Sequence, residues 1–104
     1  MLRYLTLGGF SVVDAESGPE ALAILGSRSD VSLLVTDLNM PEMNGLELIA
    51  RVKADPRWKA LPILVLSVTG SPEIQAAVLE QGAVGFMQKP FSLPEFLERV
   101  QAFL

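Results

Sequence analysis

No cysteine and no histidine occurs in the 104 residues, and there is one tryptophan and one tyrosine. Without cysteine there are no disulfides and no thiolate metal ligands. Without histidine, Ser/His and Cys/His nucleophile pairs are excluded, and with them the commonest general base and the commonest transition-metal ligand. Long apolar runs are missing too: Ile63 to Leu66 is among the longest, far short of the roughly 18 residues that cross a bilayer. The first residues carry only Arg3 as a positive charge and no small-residue cleavage pattern, so they do not read as a secretion signal. A formal charge of −4 argues against direct nucleic-acid binding, which wants a basic face. The expectation is a soluble, cytoplasmic chain with neither a nucleic-acid nor a membrane partner. Its chemistry must come from carboxylates, hydroxyls, lysines or a hard cation.

What is present suffices for one domain over residues 1–104. Half of the composition is apolar, and no linker, repeat or low-complexity stretch divides it. Short apolar runs alternate with segments of helical period, the rhythm of a parallel sheet. Strands are expected at Phe10 to Asp14, Leu33 to Thr36, Ile63 to Ser67 and Gly85 to Gln88. Ser17-Gly18-Pro19-Glu20 is a capping box that opens a helix reaching about Ser27. Asn44 to Glu47 opens a second helix, which must fail before Pro56 because the residue ahead of a proline disfavours helical geometry. Ser71-Pro72 opens a third helix with Ile74, Ala77 and Val78 inward, and Gly82 ends it. Ser92-Leu93-Pro94-Glu95 caps the last, whose Phe96, Leu97, Val100, Phe103 and Leu104 share one stripe. Arg51, Lys53, Arg57 and Lys59 read as a solvated face. The class is α/β.

In such sheets the ligand crevice lies beyond the carboxyl ends of the strands. Asp37, Ser67 and Lys89 all fall at those ends, and parallel strands bring such ends to one edge. A carboxylate, a hydroxyl and an ammonium meeting there suit phosphoryl transfer. The carboxylate attacks phosphorus while the other two hold oxygens where charge accumulates. Alone, each residue has a plainer reading: Asp37 as a turn residue, Ser67 as a strand-end hydroxyl, Lys89 as a surface lysine. The convergence is what lifts them together.

VTDLNMPEMNG (Val35 to Gly45), LSVTG (Leu66 to Gly70) and GAVGFMQKPF (Gly82 to Phe91) together resemble the receiver domain of bacterial response regulators. FSVVDAESGPEAL (Phe10 to Leu22) is similar to that family's second strand and the helix after it. The resemblance implies a flavodoxin-like doubly wound parallel sheet of order 2-1-3-4-5. It implies Asp37 as phosphoacceptor, with Ser67 and Lys89 contacting the phosphoryl group. Asn39 falls where a backbone carbonyl ligates Mg²⁺. Phe86 falls at the aromatic switch position, with Ser67 the other switch residue. Pro90 falls after a customary cis bond. A histidine kinase or phosphotransfer protein would supply the phosphoryl group in a two-component phosphorelay, and the chain would not be an enzyme in its own right. The alternative is a pseudo-receiver that acts by binding or dimerisation without phosphate. A phosphatase-like enzyme needs a second carboxylate in the crevice loops, and none is evident.

The family's fold begins with a buried strand ending in an acidic pair that completes the Mg²⁺ site, and this chain is expected to lack it. Mg²⁺ prefers near-octahedral oxygen, so Asp37 and the Asn39 carbonyl alone should bind it weakly or not at all. Asp14 and Glu16 could replace the pair only if their strand moved. The missing strand belongs between the first two visible ones, and its loss forfeits roughly 8–15 kcal/mol of apolar burial. That equals the whole stability of an ordinary domain, about 5–15 kcal/mol. By family position Leu2 to Gly9 belongs to the first helix. Leu2 to Leu7, Gly8-Gly9 and Phe10 to Asp14 nevertheless carry the signal of a hairpin. The expectation is therefore a rearranged N-terminal edge or a homodimer that exchanges or covers elements.

Overall fold

The computed structural model describes residues 3–7, 10–15, 17–28, 30–38, 44–68 and 70–103, and for 3–7, 10, 14 and 15 the backbone alone. Among the described residues five strands and four helices follow one another: β1 (Arg3–Leu7), β2 (Phe10–Ala15), α1 (Gly18–Ser27), β3 (Val31–Asp37), α2 (Gly45–Ala54), β4 (Ile63–Ser67), α3 (Pro72–Glu80), β5 (Gly85–Gln88) and α4 (Leu93–Ala102). The strands form one sheet in the order β1-β2-β3-β4-β5. β2 to β5 are mutually parallel, and β1 runs antiparallel to β2. The protein is α/β, and its sheet carries helices on both faces, the doubly wound arrangement that the resemblance implies.

The helices start where the sequence says they should. The hydroxyls of Ser17, Ser71 and Ser92 accept from the backbone N–H three residues on, at Glu20, Ile74 and Glu95. Asn44 Oδ1 does the same for Glu47 at 2.8 Å. Each cap satisfies a donor that the first helical turn leaves without an internal partner. α2 stops at Ala54, two residues before Pro56. Gly82 takes a φ of +114° after α3, a conformation open to glycine and strained for other residues.

The N-terminal hairpin is the principal rearrangement. Leu7 pairs with Phe10 and Arg3 with Asp14, so the segment that family position assigns to a helix is an edge strand. β2 in turn pairs directly with β3, Asp14 beside Val35 and Ala15 beside Thr36. The place expected for a missing strand is thus closed: β2 has moved against β3, and β1 lies outside it. This supplies a fifth strand where four were expected. A sheet whose buried strands are left adjacent to nothing exposes both apolar faces and backbone groups, and closure removes both costs.

Two apolar layers sandwich the sheet. One face packs α1, α2 and α3 through Ala21, Leu25, Leu48, Ile49, Val52 and Val78 onto Val13, Leu34, Ile63 and Val65. The other face carries Val12, Leu33, Val35, Leu64, Leu66 and Met87, and α4 covers it with Val100, Phe96 and Phe103. Alternate residues of β3 serve opposite layers, as the two-residue period of a strand requires. Trp58, in the turn after α2, is buried and donates from Nε1 to the Leu25 carbonyl at 3.0 Å, which ties that turn to α1.

Of the positive run, Arg51, Arg57 and Lys59 are exposed as a solvated face requires, and Lys53 departs from it. Lys53 Nζ donates to the carbonyls of Lys59 (3.1 Å) and Leu61 (2.6 Å), which closes the turn between α2 and β4. Burial there pushes its ammonium below the ordinary lysine range. Arg57 pairs with Asp55 and Arg51 with Glu47.

Candidate functional site

β3, β4 and β5 end together, and the ladder that aligns them continues past their tips. The Leu38 N–H donates to the Leu66 carbonyl at 3.0 Å, and the Lys89 N–H to the Ser67 carbonyl at 2.7 Å. These bonds hold residues 37–38, 66–67 and 89 in a row across the carboxyl edge of the sheet. Asp37, Leu66, Ser67, Val68 and Lys89 line a cavity of about 160 Å³ there.

Within it Lys89 Nζ donates to Asp37 Oδ1 at 2.5 Å. The two side chains remain 38% and 33% exposed, so both stay within reach of a solute while held by their strands. Ser67 is buried at 4% exposure, on the same cavity wall. Thr36, the residue before Asp37, is fully buried and its hydroxyl donates to the Asp37 carbonyl at 3.1 Å, which fixes the backbone under the carboxylate. The acid, the alcohol and the amine expected from the strand tips therefore share one pocket. An anion of phosphoryl size placed there would meet an ammonium, a hydroxyl and the carboxylate oxygen that Lys89 does not hold.

Gly45 is the residue whose role the motif alone did not disclose. Its N–H donates to the Leu38 carbonyl at 2.7 Å. A Cβ there would fall 2.8 Å from the Asp37 carbonyl oxygen and 2.9 Å from Leu38 Cα. Only glycine lets α2 begin hard against the backbone that carries Asp37. Its place directly after the cap residue Asn44 was the available signal, and it reads equally well as an ordinary helix start. Val68, next to Ser67, is a second lining residue that sequence reasoning passed over.

The remaining expected residues sit around this core. Phe86 on β5 is half-buried and packs on the face that carries α3, apart from the cavity. Its carbonyl accepts from Arg99 Nη1 at 3.4 Å. The Lys89–Pro90 peptide bond is cis. Asn39 lies outside the described residues, as do Glu16, Met40 and Met43; Met87 is buried beside α4.

A match to the model of the response regulator receiver domain spans residues 1–101. The chain belongs to the response regulator receiver domain family. The chemotaxis protein CheY1 of Helicobacter pylori is 38% identical over 98 residues, covering 94% of this chain and 79% of that protein. The rice two-component response regulator ORR11 is 41% identical over 81 residues, or 78% of this chain and 55% of its own length. Among solved structures, the chemotaxis response regulator CheY4 of Vibrio cholerae superposes with a TM-score of 0.80 at 34% identity, covering 86% of this chain and 74% of that one.

Receivers of this kind imply Mg²⁺ at an acidic pocket. Here Asp37 is the one carboxylate among the described cavity-lining residues, and Lys89 holds its Oδ1. No group of three or more Asp, Glu, His or Cys side chains able to hold a metal occurs among the described residues. Against a near-octahedral oxygen set, the described side chains by themselves do not fit the ion. No helix among the described residues is long and apolar enough to cross a membrane.

Proposed function

We propose that this receiver accepts a phosphoryl group on Asp37 and signals by the change that follows. The Asp37–Lys89 contact, in a cavity that Ser67 also lines, is the observation that carries the reading. With Lys89 on Oδ1, Oδ2 attacks phosphorus in line with the leaving group. The Asp–phosphorus bond forms as the bond to the donor breaks, and the donor departs with the electron pair. Lys89 and the Ser67 hydroxyl take up the charge on the phosphoryl oxygens. The product carries about two negative charges at neutral pH, which the ammonium offsets.

The donor is a histidine kinase or a phosphotransfer protein, the class of partner that receivers of this type meet. Mg²⁺ would be held by Asp37 and the Asn39 carbonyl, and weakly, because Asp37 is the single carboxylate among the described residues that line the cavity. Ser67 and Phe86 act as the switch: Ser67 turns toward the phosphoryl group, and Phe86, through its packing toward α3 and its carbonyl link to Arg99 of α4, passes the change outward. A second copy of the chain at the rearranged N-terminal edge makes the protein a homodimer, which light scattering tests directly.

Phosphoryl acceptance is tested by incubating the chain with acetyl phosphate and Mg²⁺ and weighing it intact. The expected result is a gain of one phosphoryl group that disappears in Asp37→Asn. An unchanged mass under all conditions would reject the reading and leave a phosphate-independent binding module in its place.

A further inference from the structure

A second cleft, of about 300 Å³, opens where the start of α2 faces α3. Among the described residues Leu38, Asn44, Leu46, Glu73, Ile74 and Ala77 line it. It is larger than the cavity of about 160 Å³ at Asp37, and the two share no described lining residue. Leu38, Leu46, Ile74 and Ala77 give it aliphatic sides, and Leu46 and Ile74 extend the apolar layer of α1, α2 and α3 toward the surface. Asn44 already uses its Oδ1 to cap α2. Glu73 is exposed, and the ion pairs among the described residues do not include it. Apolar sides with a few polar groups, in a volume of roughly 300 Å³ or more, are the make-up of small-molecule sites.

We infer that this cleft binds a small organic cation, an apolar ring on a short arm ending in one ammonium, and that its occupancy is felt at Asp37. Four aliphatic side chains favour an apolar body, because covering them removes their surface from water. The one charge among the described lining residues is the Glu73 carboxylate, so charge complementarity selects an ammonium over a carboxylate. Volume sets the size: an apolar cavity of about 150 Å³ holds benzene, and twice that room takes a ring with an arm. Leu38 carries the effect inward. It lines the cleft and follows Asp37 in the chain; its N–H donates to the Leu66 carbonyl, and its own carbonyl accepts from the Gly45 N–H. A ligand pressed on Leu38 therefore acts on the backbone that holds the carboxylate. The effect at Asp37 rests on the phosphoacceptor reading above; the binding does not.

The probe is 2-phenylethylammonium, set against 2-phenylethanol, phenylacetate and ethylammonium. Each is titrated into the full chain and followed by amide and methyl NMR shifts. The wild type is expected to bind the probe with a Kd on the order of millimolar, as befits so small a ligand, with the shifts centred on Leu46, Ile74 and Ala77. The neutral alcohol binds about threefold more weakly, the modest worth of one exposed ionic contact, and phenylacetate and ethylammonium more weakly again. Glu73→Gln keeps the shape of an exposed side chain, removes its charge, and brings the probe down to the level of the alcohol. Ala77→Phe fills the cleft and abolishes binding. Phosphoryl gain from acetyl phosphate and Mg²⁺ is then timed by intact mass. Saturating probe is expected to change the wild-type rate by about twofold or more and to leave the Ala77→Phe rate alone. Should Ala77→Phe fail to fold, Glu73→Gln decides both arms, since the probe concentration for half effect must rise about threefold with the Kd.

No saturable binding, shifts centred away from the cleft, or equal affinity for the probe and phenylacetate would overturn the site, whatever Asp37 does. Binding that leaves the rate of phosphoryl gain unaltered overturns the effect at Asp37 and spares the phosphoacceptor reading. A wild type that gains no phosphoryl group removes that reading and the effect together, and the titrations alone then decide the site.

Discussion

Lys89 Nζ stands 2.5 Å from Asp37 Oδ1 although 52 residues of chain separate them. Only the parallel order of β3, β4 and β5 brings the two together, so the contact is a product of the fold. Because both side chains are about a third exposed, solvent screens the pair and its worth to stability is small, about 0–1 kcal/mol. Its value is chemical. Lys89→Met is expected to lower the rate of phosphoryl gain on Asp37 by about 10²-fold, the usual cost of removing one donor to developing oxyanion charge. The urea midpoint should hardly move. A large loss of stability with an unchanged rate would show that the lysine serves packing instead.

Gly45→Ala tests how closely α2 must approach Asp37. The added methyl would sit 2.8 Å from the Asp37 carbonyl oxygen, and backbone atoms cannot swing aside as a side chain tip can. Overpacking of this sort costs about 1–3 kcal/mol. Chemical denaturation should show that loss, accompanied by slower phosphorylation because the displaced backbone is the one that carries Asp37, the proposed nucleophile.

Val100 is the fully buried residue of α4, and α4 is the one helix among those described that covers the second face of the sheet. Val100→Ala removes two methyl groups from that layer. The expected cost is about 1.5–3 kcal/mol, transfer and cavity combined. A change below about 0.5 kcal/mol, within the range of ordinary surface substitutions, would mean that α4 is not seated on Val12, Leu33 and Leu64 as found.

Lys53 gives a pH signature. Burial at the two carbonyls it closes lowers its pKa from the ordinary 10.5, so around that pH the folded protein binds fewer protons at this site than the unfolded chain. Stability then rises with pH, because the unfolded state must give up the extra proton. The penalty is present in full below the folded pKa and is relieved as pH climbs toward 10.5. Urea midpoints for wild type and Lys53→Met, compared between neutral and alkaline pH, should converge or cross in that direction. Parallel pH profiles would remove the effect from Lys53.

Much of this was legible before any coordinates. Serine and asparagine caps marked all four helix starts because a cap is a local hydrogen bond, written within four residues. The strands of β4 and β5 were found at their observed bounds, since a short apolar run bordered by turn residues has few other uses. Asp37, Ser67 and Lys89 could be brought to one edge by topology alone. What the residues could not settle was the start of the sheet. Leu2 to Leu7 is compatible with a helix by family position and with a strand by its Gly-Gly turn, and the choice depends on how β2 pairs with β3, a tertiary condition. Lys53 was misread for a similar reason: four cations at loose helical spacing look solvated until the turn between α2 and β4 folds back and offers its carbonyls. Gly45 owes its importance to distances across the fold, which no local pattern encodes.

The indole of Trp58 has a practical consequence. It is the only tryptophan in the sequence, it is anchored to the Leu25 carbonyl, and it belongs to the layer of α1 and α2 on the far side of the sheet from α4. Intrinsic emission at this position therefore reports whether α1 is docked, and Trp58 is not among the described residues that line the cavity at Asp37. The molecule has its own fluorescent witness to integrity, and a substitution that silences Asp37 can be separated, in the same cuvette, from one that has undone the fold.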